Sequence, residues 1–293
     1  MTALKARIVP IRKMQSYTPR IPQNSRSIAV AKFIQAAAVV LLTLLWCKAA
    51  SAQRLYDNFG AGVINPAKWV AAQNYDPDMR EALREIAVVR GRRRLHLYEI
   101  AYSATTDNNG TSGGLFGLSF PNPSAVTAIS FTAAVNNIAV VACNTNQGAE
   151  LVTSAEFRGS FFNVDASPTS PNDDVIADIS IQLSSQENGP TVVGFVTEGN
   201  GADYTVLGYQ VLGTVALKST NTLFLQWDQP NHRFIFQLNN GAQVFEPYNV
   251  PDTSPPFNAF KNIDVGRVVP HCTSTPRPYA LVDADFGSVY VNR

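Results

Sequence analysis

The amino-acid sequence predicts an all-β protein of two packed antiparallel sheets. After residue 100, short runs rich in Val, Ile, Phe and Thr alternate with clusters of Gly, Pro, Asn and Asp almost to the end of the chain, as strands separated by turns do. No long helical period interleaves with these runs, which argues against a parallel α/β sheet. Residues 53–293 are enough to bury a sizeable core within one sandwich domain.

Residues 1–52 read differently from the rest. They contain no Asp or Glu and eight basic residues, and an apolar run from Phe33 to Cys47 leads to Ala50-Ser51-Ala52. A basic lead, an apolar core and an A-x-A end make a secretory signal. The apolar run falls short of the roughly 20 residues that span a bilayer. Cleavage after Ala52 and export to the periplasm, cell surface or medium are therefore expected, with a retained anchor or an upstream-annotated start as alternatives.

The next segment, YDNFGAGVINPAKW over residues 56–69, reads as an entry strand with Phe59 and Trp69 as core anchors and Gly60 and Gly62 in the turn between them. Asp76-Pro77 resembles a helix cap, so residues 77–88 are expected to begin as a helical turn and become a strand near Arg84. Twelve strands are expected after that, over residues 94–101, 125–135, 139–144, 152–163, 175–184, 191–197, 205–212, 222–228, 233–239, 242–247, 263–268 and 279–292. The Gly-rich stretch 110–117 (GTSGGLFG) reads as a loop. In the hairpin LFLQWDQPNHRFIFQL, the two-residue period puts Leu223, Leu225 and Trp227 on one face with Phe234, Phe236 and Leu238. Strand-rich sequence continues on both sides of the Pro-rich segments 167–171 and 250–256, so residues 53–293 read as one domain.

Charge and cysteine usage narrow the function. The whole chain carries +1, but residues 53–293 keep 15 of the 23 basic residues and all 22 acidic ones, a balance of −7. Such a domain is a poor partner for nucleic acid, which needs clustered cations. Arg90, Arg92, Arg93 and Arg94 are the exception, either as a solvated strand start or as an anion patch. Cys143 and Cys272 remain after the leader, an even number for an oxidising compartment. They either bridge, closing a loop of about 130 residues, or leave Cys143 as a buried thiol. Among the three histidines, His96, His232 and His271, no metal-binding spacing occurs, and there is no G-x-S-x-G elbow or phosphate loop.

Three features taken in order resemble the concanavalin A-like lectin/glucanase superfamily. They are the entry segment with Ile64-Asn65-Pro66-Ala67-Lys68-Trp69, the Trp227-Asp228 hairpin, and the closing Ala284-Asp285-Phe286-Gly287-Ser288-Val289-Tyr290-Val291. Gly287 stands where the family's last pattern has an Asp. The resemblance covers residues 55–293 and implies a jelly-roll sandwich like laminin-G-like domains and family 16 glucanases. It also implies a structural Ca²⁺ where the first and last strands meet, with Asp57 and Asp285 supplying oxygens and Asp283 beside them. The functions it implies are glycan cleavage, binding of a glycan or other cell-surface ligand, or a structural extracellular role.

Cleavage would need two carboxyl groups about 5–5.5 Å apart for a retaining reaction. The family's E-x-D-x-x-E strand pattern is missing. Glu150 and Glu156, six residues apart on one strand, stand about 20 Å apart. Glu81 with Glu85, and Asp173 with Asp174, read as an exposed edge and a turn. A pair drawn from different strands remains open. For binding, Arg94, His96 and Tyr98 share one strand face, as do Glu156, Arg158 and Ser160, and the polar loop 103–113 could rim a groove. The expectation is an exported, non-catalytic ligand-binding module, with a glycoside hydrolase or lyase of unfamiliar constellation as the alternative.

Overall fold

The computed structural model describes residues 53–74, 80–146, 151–200 and 203–292. The expected leader over residues 1–52 and Glu150 lie outside them. Among the described residues fifteen strands form: β1 (Arg54–Asp57), β2 (Val70–Asn74), β3 (Arg80–Val89), β4 (Arg92–Tyr102), β5 (Thr111–Ser119), β6 (Ala128–Val141), β7 (Val152–Asn163), β8 (Asp174–Ser184), β9 (Thr191–Asn200), β10 (Asp203–Thr214), β11 (Asn221–Asp228), β12 (Arg233–Leu238), β13 (Val244–Pro247), β14 (Lys261–Pro270) and β15 (Tyr279–Val291). They make two antiparallel sheets, a jelly-roll sandwich. The first runs β13-β12-β11-β6-β15-β4-β3, with β1 also on β15, and the second runs β10-β9-β8-β7-β14-β5-β2.

The inward faces are apolar because alternate strand residues point the same way. Leu95, Leu97, Ile129, Phe131, Phe286 and Val289 come from the first sheet, and Phe157, Ile179, Ile181, Ile263 and Val265 from the second, all fully buried. The predicted hairpin holds its register, with Leu223 opposite Leu238, Leu225 opposite Phe236 and Trp227 opposite Phe234. Leu223, Leu225, Phe234 and Phe236 are fully buried, and Trp227 and Leu238 pack against the same core.

The entry segment closes the sandwich at one end. Leu55 pairs with Tyr290 and Asp57 with Val289, so the first described strand lies on the last. Phe59 and Trp69 are buried and stack with ring centroids 5.8 Å apart. Asp57 ties the loop together: its carboxylate accepts from Trp69 Nε1 at 2.8 Å and from the Phe59 N–H at 2.9 Å.

Four expectations change. Residues 80–83 are strand rather than helical turn, because β3 pairs with β4 along its whole length, from Arg80 opposite Ala101 to Val89 opposite Arg92. Residues 111–117 are strand β5, held between β14 and β2. Gly117 makes this fit possible, since a Cβ there would lie 2.2 Å from the Ile263 carbonyl oxygen. The two strands expected over 125–144 are one strand, β6. Asn136 is its bulge, set where the pairing of β6 with β15 shifts between Asp283 and Ala284. The entry run 56–69 is strand only to Asp57.

Cys143 and Cys272 are joined in a disulfide with a sequence separation of 129. It fastens the end of β6 to the segment that follows β14. Replacing both cysteines by serine is expected to lower the unfolding free energy by about 2–5 kcal/mol through the freed loop, measured by urea titration without reductant.

Candidate functional site

The outer face of the second sheet collects polar and ionisable side chains. Along β7 these are Ser154, Glu156 and Arg158, alternating with the buried Ala155 and Phe157. On β8, Asp178, Ser180 and Gln182 alternate with Ile179 and Ile181, and on β14 Asp264 stands between Ile263 and Val265. Strand register decides which of them meet. Asp264 is directly opposite Glu156, and Glu156 is opposite Ser180. The adjacent row runs Arg158, Asp178, Phe195, Tyr209 across β7, β8, β9 and β10.

These rows floor a cleft of about 500 Å³ lined by Glu156, Arg158, Asp178, Phe195 and Tyr204 among others. It shares Asn74, Leu115, Arg158 and Ile176 with a neighbouring cleft of about 660 Å³ that reaches Phe260 and Asn262. Volumes of roughly 300–1,000 Å³ suit small-molecule or oligomer ligands. At the β9–β10 end, Phe195 packs edge-on against Tyr204 and Tyr209, at 6.0 and 5.9 Å between centroids. Tyr204 and Tyr209 are 63% and 49% exposed, so both rings face solvent.

The carboxyl groups are held in an unusual state. Asp264 is fully buried, and neither of its oxygens receives a well-formed hydrogen bond. Burial pushes its pKa well above the usual carboxylate range, the charge of Glu156 adds to that, and Arg158 pulls the other way. Asp178 is raised well above the usual range for the same reasons. The Ser154 hydroxyl donates to Glu156 Oε2 at 2.6 Å. Gly266 leaves room for Glu156, since a Cβ there would sit 3.1 Å from Glu156 Oε1. Opposite residues on paired strands have Cβ atoms about 4.5–5.5 Å apart, so Glu156 and Asp264 are immediate neighbours across the β7–β14 ladder.

The five residues expected to bind ligand do not form one site. Glu156 and Arg158 lie in this groove, whereas Arg94, His96 and Tyr98 lie on β4 in the first sheet, on the face opposite the buried Leu95 and Leu97. Arg94 lines a separate cleft of about 560 Å³ with Arg92, Arg93 and Ser288. His96 Nδ1 sits 3.0 Å from Asp285 Oδ1. Asp285 is buried, and the Asn136 amide donates to it at 2.8 Å and to Asp283 at 2.9 Å. Asp57 pairs opposite Val289, further along β15, with its oxygens committed to Trp69 and Phe59. Asp57 and Asp285 thus belong to two different hydrogen-bond sets. Among the described residues, no group of three or more His, Cys, Asp or Glu is arranged to hold a metal.

Glu81 and Glu85 are exposed on β3. Asp174 is a clamp, accepting from the Phe257 and Asn258 N–H groups at 2.7 and 2.9 Å and from Asn163 at 2.8 Å. Asp178 and Asp264 escaped the sequence reading, although each is an acid inside an apolar strand, where Asp is disfavoured.

A folded Asp264 keeps its proton at pH values where the unfolded chain, with a carboxyl near 4, has lost it. Stability therefore falls as pH rises from about 4 to the raised folded pKa, by about 1.4 kcal/mol for each unit of difference. Asp264→Asn is expected to flatten this fall, melting above the wild type at pH 8 and close to it at pH 3 in thermal scans.

No family model matches the chain, and no curated protein matches it. Solved structures similar to it include the GlcNAcα1-4Gal-releasing endo-β-galactosidase from Clostridium perfringens, with TM-score 0.39 and 10% identity over 82% of this chain. The chain spans 64% of that enzyme's length. A prokaryotic β-1,3-1,4-glucanase (lichenase) derived from a mouse hindgut metagenome matches at TM-score 0.42 and 12% identity, covering 81% of this chain and 98% of that one. Lectin II from Ulex europaeus matches at 0.32 and 9%, covering 77% and 97%. The two-sheet jelly-roll sandwich is established by the chain's own strand order, and these likenesses assign it no activity.

Proposed function

We propose that the protein is an exported module that binds a glycan chain along the outer face of the second sheet without cleaving it. One observation carries this reading: the row Arg158, Asp178, Phe195, Tyr209 across four strands. It joins a guanidinium and a carboxyl, which bond sugar hydroxyls, to rings on which a sugar face stacks. The groove's exposed Tyr204 and the polar side chains of Ser154, Ser180 and Gln182 fit an extended polyhydroxylated ligand. The acidic balance of residues 53–293 disfavours nucleic acid.

The second reading is glycoside hydrolysis, and it rests on Glu156 standing opposite Asp264 with Asp178 on the next row. A proton-holding acid beside a second carboxylate is what such cleavage requires.

Calorimetric titration with β-glucan, galactan and mixed-linkage oligosaccharides tests both. Binding is expected, with Tyr209→Ala and Phe195→Ala each weakening it several-fold, about 1 kcal/mol per lost ring contact, and with oligosaccharide length unchanged after incubation. Release of new reducing ends that disappears in Glu156→Gln would replace the binding module by the hydrolase.

A further inference from the structure

The three histidines share one arrangement. Nδ1 of each lies against a carboxylate: Asp285 for His96 at 3.0 Å, Asp252 for His232 at 3.1 Å and Asp107 for His271 at 3.1 Å. At His271 the second ring nitrogen is also engaged, for Ser112 Oγ lies 2.9 Å from Nε2.

The fold brings Asp107, Ser112 and His271 together from separate segments. Ser112 stands on β5, opposite Val269 of β14, and His271 follows directly after that strand's end at Pro270. Asp107 lies in the connection between β4 and β5. The backbone around His271 is fixed on both sides. Its own N–H donates to the Gly110 carbonyl at 3.1 Å, the next N–H donates to the Ala104 carbonyl at 2.8 Å, and Asn146 Nδ2 donates to the His271 carbonyl at 3.2 Å. The disulfide anchors the adjacent Cys272. Asp107 is oriented by the Asn109 N–H, which donates to its Oδ1 at 2.8 Å. That bond, with His271 beside it, holds the carboxyl below its ordinary pKa.

A serine hydroxyl bonded to an imidazole whose far nitrogen is held by a carboxylate is the arrangement that activates serine as a nucleophile, and geometry rather than sequence order identifies it. We propose that Ser112, His271 and Asp107 form a hydrolytic triad that cleaves esters of short acyl groups, at a site apart from the glycan groove. Ser112 stands opposite the fully buried Val269, on the face of β5 turned away from the groove.

Ser112 Oγ attacks the ester carbonyl carbon while its proton passes to His271 Nε2. The carbon–oxygen bond to the alcohol breaks, and the proton moves from Nε2 to the leaving oxygen. Water then attacks the acyl-serine by the same route, releasing the carboxylic acid and restoring Ser112. No oxidant or cofactor enters. Asp107 touches no reacting atom and acts as a positioning residue, fixing the tautomer and the ring. Ser112 is only 5% exposed, whereas the His271 side chain is 22% exposed. So little exposure at Ser112 favours acetyl over longer acyl chains.

The full-length protein is treated with a fluorophosphonate probe and assayed with p-nitrophenyl acetate and p-nitrophenyl octanoate. The expected result is a single phosphonylated site, mapped to Ser112 by peptide mass spectrometry, and faster acetate than octanoate turnover. Labelling should rise from pH 5 to pH 8, as it must where a neutral imidazole takes the serine proton. Ser112→Ala abolishes the label, and His271→Gln slows labelling and turnover by about a hundredfold or more. Asp107→Asn lowers kcat and displaces the pH profile. A label elsewhere overturns the proposal. So does reactivity unchanged in a His271→Gln protein with the wild-type circular dichroism spectrum. If that variant does not fold, a flat labelling profile from pH 5 to 8 in the wild type overturns it equally, since a merely structural Ser112–His271 bond leaves the probe at background.

Discussion

The sandwich depends on the placement of its last strand. β15 has β6 along one side, while its other side is shared between β4, up to Phe286, and β1, from Val289. Its inward residues Val282, Ala284, Phe286 and Val289 are buried in the core. Until this strand is in place, β4 and β6 have no common neighbour and the entry loop with Phe59 and Trp69 has nothing to close against. Pairings between residues so distant in sequence make for slow folding. They also tie the two ends of the described chain together, since β1 pairs with β15.

The same sandwich carries an uncommon number of buried ionisable groups. Burial raises Asp264, Asp178 and Glu99, although Arg267 and Arg80 oppose the shift at Glu99. Burial also lowers Lys261 to about 7, with its ammonium 4.2 Å over the Phe161 ring. Desolvation pushes each group toward its neutral form. Replacing such buried groups by well-packed apolar residues is often neutral or stabilising. Here Asp178 and Asp264 stand on the outer face of the second sheet, on strands rather than loops.

Much of the fold was legible because alternation is a local signal. The hairpin register and the core anchors Phe59 and Trp69 follow from residue order alone. β5 was hidden because its glycines, which normally mark loops, are there to let β14 approach. The break expected between residues 135 and 139 is a bulge at Asn136 inside one strand. The helical reading near Arg80 failed because pairing with β4 overrides local propensity. For the site, the polar face of β7 was visible in the sequence, and with it Glu156 and Arg158. The partners Asp264 and Asp178 were not, since meeting across strands depends on register, which no single segment encodes. His271, Ser112 and Asp107 lay beyond reach for the same reason: loop ends bring them together, at spacings of five and 159 residues.

β10 forms the outer border of the groove and of the second sheet, and its pairing with β9 shifts register twice, between Val206 and Gly208 and between Val211 and Gly213. An unpaired strand edge is a template on which another chain can add a strand. Each shift bends the backbone and interrupts the straight row of donors and acceptors that such addition needs. The exposed Val206 and Val211 would otherwise make this edge adhesive. Its irregular outline works against the edge-to-edge pairing of copies, and it leaves the rings of Tyr204 and Tyr209 exposed beside it.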